Sequence, residues 1–361
     1  MSSPAKPPTP AMPMRKRISL VAAIIVLTLV PAIVMLAVTY LGTGTAQMAA
    51  TWASIPAIVG IFAAVAAGRR MAIIVSIVMG FLAPLAIVAG LSPVSGAALM
   101  AILCMALGRM ARFGLHKSTL LVPVMLAWPL IDPPVWSGQS TVDRTDNTYL
   151  LWMAVIFFVG AIIPALIVPF AMRKRPKAVP QQHTQREAIV YTVMITVLVT
   201  VSTYVVLDNP KDFGGAFLIA AILVLAPIGS TQTLRPTILR LLGTLLGSVL
   251  VILFVSKIES LTMVYVIGLV MISIALMSRL GAHGWLYYVF MVPATACLNA
   301  TSLAQVDQLS TQRVVDNIVG GVLVLIASAL AVGYSTWASR HGEATDADRE
   351  ADEFIASPQP A

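Results

Sequence analysis

Residues 18–41 form a run of 24 residues, ISLVAAIIVLTLVPAIVMLAVTYL, that contains no charged side chain. A helix needs about 20 predominantly apolar residues to cross the hydrocarbon core of a bilayer. Similar apolar blocks recur along the chain, and only 11% of all residues are charged, against about a quarter in soluble domains. A segment in lipid must satisfy its own backbone hydrogen bonds, which favours helices. The sequence therefore predicts an all-α integral membrane protein.

Twelve apolar blocks are candidate transmembrane helices, and an even number places both termini on one side of the membrane. The positive-inside rule tests this count. With a cytoplasmic N-terminus, 19 of the 23 Lys and Arg residues fall in cytoplasmic segments, and only Arg144, Lys211, Lys257 and Arg313 do not. We therefore expect a multi-pass protein of the cell inner or plasma membrane with both termini in the cytoplasm. The predicted spans are 18–41, 46–68, 71–91, 95–113, 117–131, 148–172, 188–207, 213–230, 238–256, 261–278, 284–299 and 314–337.

The chain contains an internal similarity that indicates duplication. MARFGLH at 110–116 and MSRLGAH at 277–283 share four identical positions, 167 residues apart. The first follows the fourth predicted span and the second follows the tenth. We infer two parallel six-helix repeats, an arrangement found in transporters whose halves move about a central site. The predicted organisation is a disordered tail (1–17), the first repeat (18–172), a basic cytoplasmic linker (173–187), the second repeat (188–339) and a disordered acidic tail (340–361).

Small residues spaced four apart predict where helices pack closely. Gly243 and Gly247 form a Gly-x-x-x-Gly pair, which allows a neighbouring helix to approach. The offset of 167 residues aligns Ser76 with Gly243 and Gly80 with Gly247, which agrees with the duplication. Gly320 is the corresponding packing candidate in the last span.

Two arginines and one aspartate are candidates for a substrate or ion pathway. Arg240 lies three and seven residues before the Gly243 and Gly247 pair, on the same helical face. Arg313, Asp316 and Gly320 repeat that spacing. Ionisable residues within a membrane usually face a bundle interior or a wet cavity, and Asp316 could carry a proton there. The alternatives are an interfacial anchor for Arg240 and an interfacial ion pair between Arg313 and Asp316 near the external surface.

The fifth and eleventh predicted spans are short; the fifth contains Pro123 and Pro129, and the eleventh contains Pro293. Short segments interrupted by proline at matching places in two halves indicate a transport site, because broken helices free backbone groups. An interfacial aromatic belt is the alternative explanation for the aromatic residues nearby. The residues expected to line this site are Trp128, Tyr287, Tyr288 and Asn299.

Two segments of the second half resemble a known family. RLLGTLLG (240–247) and TQRVVDNIVGGVLVLIASAL (311–330) are similar to the opening and closing helices of the six-span unit in the fusaric acid resistance (aromatic acid exporter) superfamily. The first half resembles it only in outline, since IIVSIVMG (73–80) lacks the arginine. The large soluble domain of many members is absent. The resemblance implies membrane export of small, often aromatic, organic acids.

We therefore predict a secondary transporter that exports small organic acids or related toxic compounds and is driven by an ion gradient. No enzyme is expected, because the sequence has no Gly-x-x-x-x-Gly-Lys-Ser/Thr phosphate loop and no catalytic acid cluster. Two alternatives stay open: a major-facilitator-type carrier, matched only by Gly-Arg-Arg at 68–70, and a non-catalytic membrane scaffold or assembly protein.

The expected partners are the lipid bilayer and the organic acid solute, and homo-oligomerisation is left open. The net charge of +8 follows from basic loops beside an anionic inner leaflet, so no nucleic acid is expected. No cofactor or metal is expected either. His116 and His283, in the repeated turns, are interpreted as loop caps rather than metal ligands.

Overall fold

The computed structural model of the chain describes residues 37, 46–135, 142–171, 183–209, 215–226, 228, 234–255, 257–280, 286–299 and 303–340. Regular secondary structure in these residues is entirely helical. The predicted first span (except residue 37), the N-terminal tail, most of the linker and the C-terminal tail after residue 340 lie outside the described residues.

Helices occupy each of the eleven predicted spans from the second onward, and the predicted fifth span is divided into two helices. A π-helical turn, Val251–Val255, continues the ninth described helix. The helices of the described residues are α1 (Ala46–Ala67), α2 (Arg69–Ala89), α3 (Pro93–Arg112), α4 (His116–Thr119), α5 (Leu121–Ile131), α6 (Asn147–Ala171), α7 (Gln185–Asp208), α8 (Ala216–Leu225), α9 (Leu234–Leu250), α10 (Leu261–Leu280), α11 (Leu286–Asn299) and α12 (Leu303–Arg340).

Five helices of the described residues are long and apolar enough to cross a membrane. They are α2, α3, α6, α7 and α12. Large apolar side chains on these helices face outward, including Phe81, Leu151, Val197 and Leu330. Outward apolar surface on this scale is untypical of a soluble protein. The structure is that of an all-α, multi-pass membrane protein.

Helix α8 is short and lies in the interior. Nine of its ten residues are buried, as expected for a helix that is hydrophobic on every face, and it packs against α5, α7 and α12. The described helix is therefore shorter than the predicted span of 213–230. The helix is about 15 Å long. It ends before Ala226, whose backbone is extended because Pro227 follows and disfavours helical geometry in the residue before it.

The prolines do not interrupt α5 or α11. Pro123 lies in the first turn of α5, where the missing N–H would have no helical acceptor. Helix α11 continues through Pro293. Helix α5 begins after α4 and ends at Ile131, with Asp132 as its C-cap.

The last helix is much longer than its predicted span of 314–337. Helix α12 has 38 residues and begins at Leu303. Arg313 therefore lies three turns inside the helix rather than in front of it, which changes its surroundings from the expected loop to the protein interior.

Candidate functional site

Helices α5, α8 and α12 meet at a stack of three side chains. The guanidinium carbon of Arg313 on α12 lies 3.7 Å from the centre of the Phe217 ring on α8. The Phe217 ring also contacts Trp128 on α5 in an edge-to-face arrangement, with ring centres 5.1 Å apart and an interplanar angle of 84°. We call Trp128, Phe217 and Arg313 the cation–aromatic stack. It brings together two residues that the sequence singled out, Trp128 and Arg313.

Arg313 is buried, with 7% of its surface exposed. A cation placed over an aromatic face gains electrostatic attraction from the ring, and this gain increases when water is excluded. Arg313 therefore lies against protein rather than on the surface of the described part of the chain. The fully buried Cys297 of α11 lies within electrostatic range of the same guanidinium, so α11 also passes close to the stack.

Two further polar residues follow Arg313 on the same face of α12. Asp316 is 4% exposed, and its Oδ2 atom has no hydrogen-bond partner among the described residues. The side chain of Asn317 donates a hydrogen bond of 2.7 Å to the carbonyl oxygen of Arg313. A buried carboxylate oxygen without a partner is costly, and groups of this kind are concentrated at functional sites.

Small residues hold α12 and α5 close to α8. A β-carbon on Gly320 would lie 2.9 Å from that of Ala221, closer than such atoms normally come. At the start of α8, Gly215 has a φ angle of +65° and a β-carbon there would lie 3.3 Å from the side chain of Ile131. Glycine is thus needed at the α8 entry because other residues are strained at that angle.

A second aromatic group lies on different helices. Tyr287 on α11 contacts Phe62 on α1, with ring centres 6.5 Å apart, and it also contacts Tyr288 at 5.3 Å. We call Phe62, Tyr287 and Tyr288 the tyrosine cluster. The structure therefore separates the predicted aromatic lining into two groups, since Trp128 belongs to the cation–aromatic stack. Pro123 and Pro293 are both buried in helix contacts.

The packing candidates all lie against neighbouring helices. Gly243 contacts Tyr288, whose β-carbon would lie 2.6 Å from an added β-carbon, and Gly247 lies against the carbonyl oxygen of Val289. A β-carbon on Gly80 would lie 2.8 Å from that of Phe158. Ser76 is buried and donates to the Ala72 carbonyl oxygen at 2.7 Å. The side chains of Arg240 and Asn299 lie outside the described part of the structure.

The histidine of the first repeated turn has a partner that the sequence did not indicate. The ring of His116 lies 5.2 Å from that of His183, and His183 Nδ1 lies 3.6 Å from Glu187 Oε2. Burial, followed by the charges of His183 and Lys117, lowers the pKa of His116 to about 4. Within the described residues no three His, Cys, Asp or Glu side chains are grouped as a metal site.

Sequence reasoning missed Phe217 and Asn317. Phe217 stands in a uniformly apolar block, and only the preceding Gly-Gly pair marks it as the start of a helix. Asn317 follows Asp316 directly and could have been included as a second polar residue in the same span. The pairing of Phe217 with Arg313 joins residues 96 positions apart, which no local pattern reveals.

The fold and this stack define a polytopic α-helical membrane protein with a desolvated cation and carboxylate inside its helix bundle. The sequence profile of a family described as "Fusaric acid resistance protein-like" matches residues 202–327. The resemblance found in the sequence is confirmed for this region, which contains Phe217, Gly243, Gly247, Arg313 and Asp316. No curated protein and no solved structure matches the chain.

Proposed function

We propose that the protein is a secondary transporter that exports small organic acids, with the cation–aromatic stack as its anion-binding element. The observation that carries this proposal is the buried Arg313 guanidinium over Phe217, where three helices meet. Arginine binds carboxylates through two parallel hydrogen bonds. The neighbouring rings of Phe217 and Trp128 would accommodate the apolar part of such a solute. The family match to a resistance-type protein supports this direction of transport.

We further propose that the chain has twelve spans in two parallel six-helix repeats. The contacts between helices support this arrangement. When the predicted 18–41 is counted as the first span, each helix of the first repeat has a counterpart six spans later. The contact between α2 and α6 then corresponds to that between α9 and α12, and the contact between α1 and α6 corresponds to that between α8 and α12. The pair α2–α5 corresponds to α9–α11. Across the repeats, α5–α8 corresponds to α11–α1. Each of these two cross-repeat contacts contains an aromatic pair.

The two aromatic groups suggest how the solute site could open to each side of the membrane in turn. Trp128 is near the end of α5 and Phe217 near the start of α8, both at the external side in the proposed orientation. Tyr287 is near the start of α11 and Phe62 near the end of α1, both at the cytoplasmic side. In this mechanism the cation–aromatic stack closes one entrance and the tyrosine cluster closes the other. Movement of one repeat against the other then opens them in turn, as in other repeat-built carriers.

Asp316 is proposed to couple transport to protons. It follows Arg313 by one turn, so the charge of an organic anion on Arg313 and the protonation of Asp316 would influence each other electrostatically. The transporter would thus use an ion gradient rather than nucleotide hydrolysis.

Counterflow in proteoliposomes tests the proposed function. Vesicles loaded with unlabelled benzoate are diluted into radiolabelled benzoate, and benzyl alcohol serves as the uncharged competitor. We expect uptake by wild type, inhibition by excess benzoate but not by benzyl alcohol, and loss of uptake in Arg313→Gln. Arg112→Gln, which removes an exposed arginine at the end of α3, is the matched control and should transport normally. Equal uptake by Arg313→Gln and wild type would refute the proposal for this site.

A further inference from the structure

Arg144, in the segment between α5 and α6, is bound to the end of α5. Its Nη1 donates to the carbonyl oxygen of Leu130 at 3.0 Å, and its Nη2 donates to that of Ile131 at 3.1 Å. The last carbonyls of a helix have no helical donors, and a cation near a helix C-terminus is favoured by the helix dipole. The guanidinium therefore caps α5 at two points.

Residues 143–148, which include Arg144, are held in a defined shape by side-chain hydrogen bonds. The carboxylate Oδ1 of Asp143 accepts hydrogen bonds from the backbone N and the hydroxyl of Thr145, at 2.9 and 2.6 Å. Oδ1 of Asp146 accepts from the backbone N of Thr148 at 3.0 Å, in the first turn of α6. Arg144 lies between these two turns, so its backbone is held next to the start of α6 while its side chain contacts the end of α5.

The capped end of α5 is packed tightly on two sides. A β-carbon on Gly90, at the end of α2, would clash with the Leu130 carbonyl oxygen and with Arg144 Nη1. The Ile131 side chain fits against Gly215 at the entry of α8. A turn of α5 that is fixed in this way leaves little freedom for Trp128, which belongs to the same turn and contacts Phe217.

We infer that Arg144 is a positioning residue, which holds the last turn of α5 so that Trp128 keeps Phe217 under the Arg313 guanidinium. The alternative is that Arg144 only stabilises the fold. The role of this positioning in transport rests on the proposed function. The positioning itself can be measured without any solute.

Fluorine NMR of protein labelled with 5-fluorotryptophan separates these possibilities. Trp128→Phe assigns the Trp128 resonance. We expect Arg144→Gln to move that resonance by more than its linewidth and to leave the Trp52 resonance, next to Phe157, unchanged. Lys257→Gln removes an exposed cation elsewhere and should move neither. Arg144→Lys keeps the charge but replaces the planar, two-nitrogen guanidinium by a single ammonium nitrogen, so it should give a smaller shift of the same signal.

Three outcomes decide the inference. An unmoved Trp128 resonance in folded Arg144→Gln would overturn it, and so would an equal shift of every tryptophan signal. If Arg144→Gln does not fold, the same criteria apply to Arg144→Lys.

Benzoate counterflow gives the second readout, where we expect a several-fold higher KM in Arg144→Gln. A selective Trp128 shift together with a wild-type protein that does not transport benzoate would leave the positioning intact and count against the proposed function alone.

Discussion

Gly247 provides the sharpest test of how the second half is packed. A β-carbon at this position would press on the Val289 carbonyl oxygen and lie 3.0 Å from Pro293 Cδ. Pro293 has no N–H, so the carbonyl of Val289, four residues earlier, receives no helical hydrogen bond from it. Helices α9 and α11 thus approach each other at a point where a proline exposes a carbonyl and a glycine leaves room for it. We predict that Gly247→Ala forces the two helices apart.

The expected magnitude follows from the rigidity of the two obstructing groups. One is a backbone oxygen and the other is a proline ring, so neither can rotate away from the new methyl group. Overpacking of this kind costs about 2–3 kcal/mol, and replacing glycine by alanine inside a helix returns about 1 kcal/mol. The free energy of unfolding of Gly247→Ala should therefore fall by about 1–2 kcal/mol, the difference between these two estimates.

Two glycines of α12 are matched controls in the same chain. Among the described residues, a β-carbon on Gly333 meets no atom within 4 Å, and the nearest atoms to one on Gly321 are those of the Leu241 and Leu225 side chains, at 3.5 Å or more. Gly333→Ala and Gly321→Ala should each gain about 0.5–1 kcal/mol from helix propensity, because neither new methyl group meets a close obstacle. Reversible unfolding in detergent micelles measures all three variants. If Gly247→Ala were as stable as Gly333→Ala, the close approach of α9 and α11 would be refuted.

Three other predictions concern the boundary between the halves and the proposed coupling. Burial and the nearby His183 hold the pKa of His116 at about 4, below its ordinary value of 6.5. The free energy of unfolding should therefore decrease as the pH falls from 6.5 toward 4. His116→Gln should reduce this decrease, and an unchanged pH dependence in the variant would contradict the role given to His116. Thr184 and Glu187 form a capping box at the start of α7, so Thr184→Ala should lower the free energy of unfolding by about 1 kcal/mol and Thr184→Ser should not. Asp316→Asn should keep benzoate exchange but lose accumulation driven by a pH gradient, and full accumulation by this variant would exclude Asp316 as the proton carrier.

The positions of the helices could be predicted from the sequence because lipid imposes a simple rule on each segment. Apolar blocks bounded by charged or glycine-rich stretches gave α2, α3, α6 and α7 to within about three residues at most ends. The rule fails where a helix is surrounded by protein instead of lipid. Helix α8 is equally apolar, but it is buried by its neighbours and stops after ten residues. Hydrophobicity alone cannot separate these two environments.

The site was predictable only in part, for a related reason. Arg313 and Asp316 stand out because charge in an apolar block is rare. Trp128 was also identified, but from the expectation that proline would break α5, and α5 continues through Pro129. The partner ring of Phe217 and the cap from Arg144 depend on contacts between distant segments. Nothing in the local pattern around Arg144 distinguishes it from any other arginine in a loop.

Isothermal titration of purified protein with benzoate most directly tests the claim that the buried Arg313 receives an organic anion. We predict saturable binding to wild type and to Arg112→Gln, no detectable binding to Arg313→Gln, and no binding of benzyl alcohol to any of them. Benzoate binding of equal affinity by Arg313→Gln and wild type would contradict the account.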